Sequence, residues 1–313
     1  TPVSARPAAL VEVRTVTPRR RRWGACCCWA FTAHCIISRP PLVWSVSIWM
    51  GSLDTDSTDL ATVLASPDRT QADRTNDLRR KPLQLIAFID PKLGTTALDI
   101  SAAGGYTTEL LARMIGPKGK VFGQSRPRPA VASAPAQPEG NSHPGIAAPT
   151  PPPAAAPTGP RPSPEALADR NARMQAAKVA AAPIIAVVQP FEEPVPADLA
   201  NGKLDLVTLM FNYHDLGFLK VDRDAMNKAV FKALKSGGQY VIADHSGRSG
   251  TGISESGTLH RIEEAFLRKE VEAAGFKLIA EGNFLRNPND PRDKNTPDPP
   301  MPTDEFVLKF AKP

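Results

Sequence analysis

The chain has 313 residues, 42% of them hydrophobic, which is enough for one large domain or two small ones. Its net charge of +6 comes entirely from residues 1–50, which contain seven arginines and one glutamate. The remaining residues are neutral overall, with 31 basic and 31 acidic side chains. That balance gives no support to a nucleic-acid partner. All four cysteines also lie in residues 1–50, which excludes disulfides, a cysteine nucleophile and a CxxC zinc site from the remaining chain.

Residues 1–50 read as an N-terminal extension. Arg19–Arg22 precede an apolar run, Trp23–Ile37, and a basic stretch before an apolar one is typical of a secretory signal. His34 and Arg39 interrupt the pattern, however, and it is too broken for a stable membrane span. We expect a disordered extension without a folded role on a cytoplasmic protein. The alternative is export, if residues 19–50 act as a signal.

From residue 51 onwards the pattern indicates one α/β domain. Leu53–Asp90 predicts two helices, separated at Ser66–Arg69, with Thr70 or Asp73 as the cap of the second. The charged side chains of this segment are expected on a solvated helix face, and the alternative is that some of them line the cleft: Asp68, Arg69, Asp73, Asp77 and Arg80. Ala97–Ile100 is a short apolar run, followed by a turn of small residues, a helical pattern and a second apolar run at 121–122. That order predicts a parallel βαβ unit.

Residues 125–164 interrupt the domain. They hold 13 of the 33 prolines and many alanines, and such a composition cannot bury enough apolar surface to offset its ordering entropy. We expect a disordered insertion at the rim of the sheet. Ser163 then caps a helix that starts at Pro164 and runs to about Ala177.

The rest of the chain continues the alternation of strands and helices. Strands are predicted at Ile184–Gln189, Lys203–Met210 and Gln239–Asp244, helices at Val221–Leu234 and Thr258–Ala274, and a last antiparallel pair of strands at Phe276–Leu285 and Glu305–Phe310. Periodicity by itself indicates only an α/β fold with a mostly parallel sheet.

The turn after the first strand carries a resemblance to a known family. Residues 98–106 read L-D-I-S-A-A-G-G-Y and resemble the first motif of class I S-adenosylmethionine (SAM)-dependent methyltransferases, roughly L-D-x-G-x-G-x-G-Y. Asp99, Gly105 and Tyr106 match this motif, whereas Ser101 and Ala103 replace two of its glycines. A dinucleotide site would instead require G-x-G-x-x-G, which the turn lacks.

The C-terminal part extends the resemblance. N-Y-H-D, A-D-H-S-G-R, T-L-H-R-I-E-E and F-L-R-N-P are similar to segments of a bacterial group of methyltransferases without a settled substrate. The likeness covers roughly Ala65–Pro313, apart from the insertion. It implies a Rossmann-like, seven-stranded, mostly parallel sheet of order 3-2-1-4-5-7-6 with helices on both faces. It also implies that SAM binds across the carboxyl ends of the first three strands.

Two sets of site residues follow. The residues expected to bind the cofactor are Asp99, Ser101, Ala103, Gly104, Gly105, Tyr106, Gln124 and Asn212, where Gln124 stands at the position of an acidic residue that holds the ribose hydroxyls in the family. Ligands of open parallel sheets bind beyond the carboxyl ends of the strands. The catalytic candidates are therefore the side chains that follow the fourth and fifth strands, Tyr213, His214, Asp215 and His245.

The histidines suggest a role in proton transfer. We expect His245, helped by His214, to orient or deprotonate the acceptor, because histidine titrates near neutral pH. His260 and Glu264 are predicted one helical turn apart on the next helix. A metal site built from these histidines and acids is conceivable by ligand type, but no ligand spacing supports one, and we expect no metal.

The leading hypothesis is SAM-dependent methyl transfer to a small-molecule or unknown acceptor. The alternative is a degenerate methyltransferase-like fold that binds a ligand without catalysis, which the changes at Ser101, Ala103 and Gln124 favour. A nicotinamide oxidoreductase would often carry a Tyr-x-x-x-Lys pair, and none of the three tyrosines has a lysine four residues on.

Overall fold

The computed structural model describes residues 59–128, 162–297 and 300–313, which all belong to one compact unit, Asp54–Pro313. The predicted extension 1–50 lies outside the described residues, as do residues 129–161 of the predicted insertion. Ser125 ends a strand and Ser163 begins a helix, so the two ends of the predicted insertion belong to the fold. No helix in the described ranges is both long and apolar enough to cross a membrane.

A seven-stranded sheet forms the centre of the unit. Its strands are β1 (Thr96–Ile100), β2 (Lys120–Ser125), β3 (Ile184–Val188), β4 (Leu204–Met210), β5 (Leu234–His245), β6 (Lys277–Gly282) and β7 (Glu305–Ala311). Their order is β3-β2-β1-β4-β5-β7-β6, as the sequence resemblance implied. The pairs from β3 to β5 are parallel, and β7 runs antiparallel to both β5 and β6.

Helices cover both faces of this sheet. They are α1 (Leu60–Ala65), α2 (Gln71–Arg80), α3 (Pro82–Ile89), α4 (Tyr106–Ile115), α5 (Ser163–Ala176), α6 (Asp215–Phe218), α7 (Arg223–Ala233) and α8 (Glu264–Ala273). Successive strand residues point to opposite faces, so Ala97 joins a core with α1, α3, α4 and α5, whereas Leu98 joins a core with α6, α7 and α8.

The segment before β1 forms three helices instead of the two predicted. Thr70 caps α2 and shares a capping box with Asp73, which confirms that boundary. Lys81 then adopts a left-handed φ of 45°, and Pro82 opens α3. Proline has no N–H to donate into a helix and fits its first turn, so the chain starts a new helix here.

The prediction of a helix over Thr258–Ala274 was wrong for its first six residues, since α8 begins at Glu264. The Ile262 N–H donates to the carbonyl of His245 at 3.1 Å, which ties this stretch to the end of β5. His260 lies in the resulting loop with a φ of 52° and is not on one helical turn with Glu264. Similarly, α5 begins at Ser163, and Pro162 occupies the cap position predicted for Ser163.

Candidate functional site

The turn between β1 and α4 keeps the backbone of a glycine motif without all its glycines. Ser101, Ala103 and Gly105 stand at the three glycine positions, and their φ angles are 56°, 46° and 76°. A residue with a Cβ pays about 1–2 kcal/mol for this left-handed region. Strain of this kind persists where the surroundings require the geometry, and it often marks a functional site.

The two glycines of this turn face different surroundings. A Cβ added to Gly105 would lie 2.6 Å from Leu167 and 2.8 Å from Arg170, both on α5. A Cβ added to Gly104 would meet nothing within 4 Å. The turn is therefore packed against α5 at Gly105 and open at Gly104.

A cavity of about 80 Å³ lies on this open side, beyond the carboxyl ends of β1 and β4. Six of the eight predicted cofactor residues line it: Asp99, Ser101, Ala103, Gly104, Tyr106 and Asn212. Other lining residues come from α2 (Asn76 and Arg80), α5 (Arg170) and the end of β4 (Met210). The fold thus gathers side chains from four separate parts of the chain around the predicted turn.

Gln124 has a structural role that differs from the predicted one. Its side chain is fully buried. Its Oε1 accepts from the Ser101 N–H at 3.0 Å, and its Nε2 donates to the Gln189 carbonyl at 2.7 Å. An amide can both donate and accept, and here it ties the turn to the end of β3 from a position without access to solvent. Gly105 is also buried and packs against α5.

Asp99 forms the acidic part of the cavity wall. Its two carboxylate oxygens accept from the hydroxyls of Thr108 at 2.6 Å and Thr208 at 2.7 Å. Burial raises the pKa of Asp99 to about 6, which leaves the carboxylate charged at neutral pH. Tyr106, which opens α4, donates its hydroxyl to Asp77 on α2 at 2.7 Å and so holds the helix against the wall.

Arg80 is the basic part of the wall, whereas the sequence pattern favoured a solvated helix face for this residue. Its side chain is only 9% exposed, and it makes no hydrogen bond or ion pair with any residue that the structure describes. Its guanidinium lies 3.8 Å from the centre of the Phe211 ring. Burial lowers the pKa of Arg80 to about 9, so the side chain is still a cation at neutral pH.

Three polar atoms of the wall lack a hydrogen-bond partner among the described residues: Nε of Arg80, Oγ of Ser101 and Oδ1 of Asn212. Buried polar groups are nearly always paired, and exceptions need an explanation. Asp73 and Arg80, both buried and seven residues apart on α2, have a helical spacing that was a signal against the predicted solvated face.

A second polar cluster follows β4 and β5. The Nδ1 of His214 lies 2.6 Å from Asp244 Oδ1, and its Nε2 lies 3.1 Å from Asp215 Oδ1. Burial alone would lower the pKa of His214, but the carboxylate of Asp244 and then that of Asp215 outweigh it and raise this pKa to about 10. His214 is therefore a cation at neutral pH and has no nitrogen ready to accept a proton.

His245 has the opposite electrostatics. Its ring centre lies 5.4 Å from that of His214, and its Nδ1 is 3.2 Å from Glu305 Oε1 and 3.4 Å from Thr303 Oγ1. Burial lowers the pKa of His245 despite Glu305, so its imidazole is neutral at pH 7. Of these two histidines, only His245 has a neutral ring at pH 7.

The structure separates Tyr213 from the other catalytic candidates. Its hydroxyl donates to Glu270 at 3.0 Å and accepts from Asn227 at 2.8 Å, within the core that faces α7 and α8. Asp215 stays in the cluster and is joined by His260, whose Nδ1 lies 2.8 Å from Asp215 Oδ1. Of the four predicted catalytic residues, three therefore meet at one place and Tyr213 supports the helices.

A larger cavity of about 480 Å³ is reached from His245 only through two of its neighbours, since His245 is not itself in the wall. Thr303 and Glu305, which both approach the Nδ1 of His245, belong to its wall. The wall also includes Leu78, Arg79, Leu285 and Arg286. This volume falls within the range of about 300–1,000 Å³ that is usual for small-molecule pockets.

The comparisons with known proteins find similarity to solved structures only. No protein-family model and no curated protein matches the chain. A SAM-dependent methyltransferase from Aquifex aeolicus matches with 14% identity and a TM-score of 0.47, covering 82% of this chain and 100% of its own. A TehB-like SAM-dependent methyltransferase from Corynebacterium glutamicum matches with 13% identity and a TM-score of 0.41 (77% and 98% covered). The PH0226 protein from Pyrococcus horikoshii matches with 10% identity and a TM-score of 0.46 (79% and 94% covered).

The sheet order and the glycine-type turn define the class of fold. Seven strands in the order 3-2-1-4-5-7-6, with the last strand in sequence inserted antiparallel, form the Rossmann-like fold of class I SAM-dependent methyltransferases. One fold supports many activities, so the function has to be argued from the residues of the site.

Proposed function

We propose that the chain is a SAM-dependent methyltransferase whose cofactor site is the cavity beside Ser101–Gly104. The observation that carries the proposal is Arg80, a buried guanidinium without a carboxylate partner among the described residues. A buried charge is costly unless it is paired, so this cation favours a ligand that brings an anionic group. SAM has one carboxylate, in its methionyl part.

The other groups of the wall suit the remaining polar parts of SAM. Asp99 and the unpartnered Oδ1 of Asn212 are acceptors, suited to an ammonium group or to ribose hydroxyls. The open backbone at Gly104 admits a close approach. Bound here, SAM supplies an electrophilic methyl group. The cavity of about 80 Å³ is smaller than the whole cofactor, so part of its wall has to move when SAM binds.

We place the acceptor in the larger cavity beside His245, which has the volume for a small molecule. The neutral imidazole of His245 would orient the acceptor or take its proton, with Glu305 holding the Nδ1–H. Loss of a general base typically slows a reaction about 10²–10⁴-fold. We therefore expect His245→Gln to bind SAM like the parent but to transfer the methyl group far more slowly in single-turnover measurements with an acceptor found by screening. An unchanged rate would make His245 a structural residue.

The cofactor site is tested by isothermal titration calorimetry with SAM, S-adenosylhomocysteine and NAD. The parent should bind the first two and not NAD. Gly104→Leu should reduce SAM affinity at least about 100-fold, equivalent to ~2.7 kcal/mol, because a large side chain would fill the open side of the turn.

Gly104→Ala is the matched control, since its single methyl group meets nothing within 4 Å and should leave both fold and affinity close to those of the parent. Full SAM affinity in Gly104→Leu would place the cofactor elsewhere. SAM binding without transfer to any acceptor in a broad screen would support the alternative of a non-catalytic binding module, which the replaced motif glycines already favoured.

A further inference from the structure

We infer that His214, Asp215 and His260 form a binding site for one divalent transition-metal ion, with Zn²⁺ as the ion of first choice. The three side chains are called the His–Asp–His cluster below. His214 and Asp215 follow β4, whereas His260 comes from the loop before α8, so only the folded chain brings them together.

The geometry of the cluster is convergent. One potential ligand atom from each residue lies within 4.8 Å of the other two. Both imidazoles approach the same carboxylate oxygen, since Asp215 Oδ1 lies 3.1 Å from Nε2 of His214 and 2.8 Å from Nδ1 of His260. A positive φ of 52° at His260 turns this residue out of the predicted helix and towards Asp215. Two nitrogens and one oxygen thus face a common point.

Neighbouring side chains form hydrogen bonds that orient the potential ligands of the cluster. Nδ1 of His214 lies 2.6 Å from Asp244, which orients the ring so that Nε2 faces the cluster. The other carboxylate oxygen of Asp215 accepts from Nδ2 of Asn212 at 3.0 Å. Metal-binding histidines usually have such a carboxylate on their second nitrogen, and ligating carboxylates are usually hydrogen-bonded in turn.

The charges also suit a cation. Asp215 and Asp244 form no ion pair with lysine or arginine in the part of the chain that the structure describes, and histidines are the only basic side chains that approach them there. A divalent cation bound at the cluster would face these two carboxylates.

The donor set indicates the class of metal. Two imidazoles and one carboxylate are borderline ligands that suit Zn²⁺, Fe²⁺ or Ni²⁺ better than Mg²⁺ or Ca²⁺. Catalytic zinc sites typically have three protein ligands and an open position for water or substrate. Asp215 is one hydrogen bond from Asn212, which lines the proposed cofactor cavity.

The test must separate this cluster from Cys26, Cys27, Cys28 and Cys35, which could bind Zn²⁺ by themselves. The full chain is therefore prepared with these four cysteines changed to serine and is treated with a chelator. Titration with Zn²⁺ is followed by calorimetry, and titration with Co²⁺ by its visible absorption, which responds to nitrogen and oxygen ligands. SAM affinity is measured separately on the metal-free protein.

We expect one Zn²⁺ per chain in this background. His260→Ala and Asp215→Asn should each weaken Zn²⁺ binding at least about 100-fold, and Asp244→Asn about 10–100-fold, the effect usual for a residue behind a ligand. His245→Gln is the matched control, because it removes a neighbouring histidine that is outside the cluster and should keep the parent's Zn²⁺ affinity. Circular dichroism and a thermal melt confirm that each variant folds.

Two results would overturn the inference. One is no stoichiometric Zn²⁺ or Co²⁺ binding by the cysteine-free chain. The other is binding that survives His260→Ala and Asp215→Asn unchanged, which would place the ion elsewhere. Neither result would contradict the proposed cofactor site, provided that the metal-free chain binds SAM. Conversely, Zn²⁺ binding without SAM binding would support the metal site and reject the proposed function.

Discussion

Two walls of the same small cavity differ in how their charges are satisfied. On the α5 side, Arg170 pairs with Asp73 at 2.7 Å and with Glu109 at 2.5 Å, and its Nε donates to the carbonyl of Gly104. On the α2 side, Arg80 has no such partner among the described residues. Both arginines are largely buried, so the difference lies in their pairing and not in exposure.

The contrast separates structural charge from binding charge. On the paired wall, the ion pairs of Arg170 hold α5 against the turn, and the charges neutralise one another within the protein. The wall formed by Arg80, Ser101 and Asn212 is left with unmet hydrogen-bonding groups that a polar ligand would satisfy. Substitutions on the paired wall should therefore change stability, and those on the unpaired wall should change ligand affinity.

The largest effect is expected from Glu109→Gln. Glu109 is buried on α4 and pairs with Arg113, Arg170 and Arg173 at 2.5–2.7 Å. Loss of its charge breaks three ion pairs in a buried network, although Arg170 keeps Asp73 and Arg113 keeps Asp68, and it should lower the free energy of unfolding by about 3–5 kcal/mol. Urea unfolding measures the change.

The control for Glu109→Gln is an exposed pair. Asp224 and Lys228 form an i,i+4 ion pair on α7 with side chains that are each 62% exposed. Asp224→Asn should cost at most about 0.5 kcal/mol. Equal losses in the two variants would show that the buried network contributes no more than a surface pair.

Arg80→Met should have the opposite signature. Removing an unpaired buried charge should leave stability unchanged or raise it, whereas SAM affinity should fall roughly 10–100-fold, since a hydrogen bond to a charged group contributes about 1.5–3 kcal/mol. Calorimetry and urea unfolding on the same protein measure both. Arg79→Met is the control, because Arg79 pairs with Glu305 at 3.3 Å and is not in the wall of the small cavity. If Arg80→Met loses stability but keeps the parent's SAM affinity, Arg80 has a structural role and not a role in ligand binding.

The smallest effect concerns the backbone of the turn. Ala103 has a φ of 46°, so Ala103→Gly should relieve left-handed strain and raise the free energy of unfolding by about 1 kcal/mol. Its neighbour Ala102 is buried and is not among the residues of positive φ. Ala102→Gly should therefore destabilise the protein, by roughly 0.5–1 kcal/mol. A loss of stability in Ala103→Gly would show that the Cβ of Ala103 makes packing contacts worth more than the strain.

The sequence alone determined the fold class and the location of the turn of small residues. Alternating apolar runs and helical patterns are local properties, so they placed β1, β3 and β4 within about one residue of their observed bounds. The resemblance supplied the strand order, which the structure confirms. Six of eight predicted cofactor residues line one cavity because they are close in sequence or follow adjacent parallel strands.

Only the tertiary structure decided which polar side chains are already paired. The side chain of Gln124 is held by the carbonyl of Gln189, and the hydroxyl of Tyr213 is held by Glu270. The position of His260 depends on the main-chain hydrogen bond between Ile262 and His245. The pKa values of His214 and His245 diverge for the same reason, because two carboxylates face the first ring and burial dominates at the second. Residue type and spacing determine what a side chain can do, whereas its partners come from distant parts of the chain and are fixed only when the sheet and helices pack.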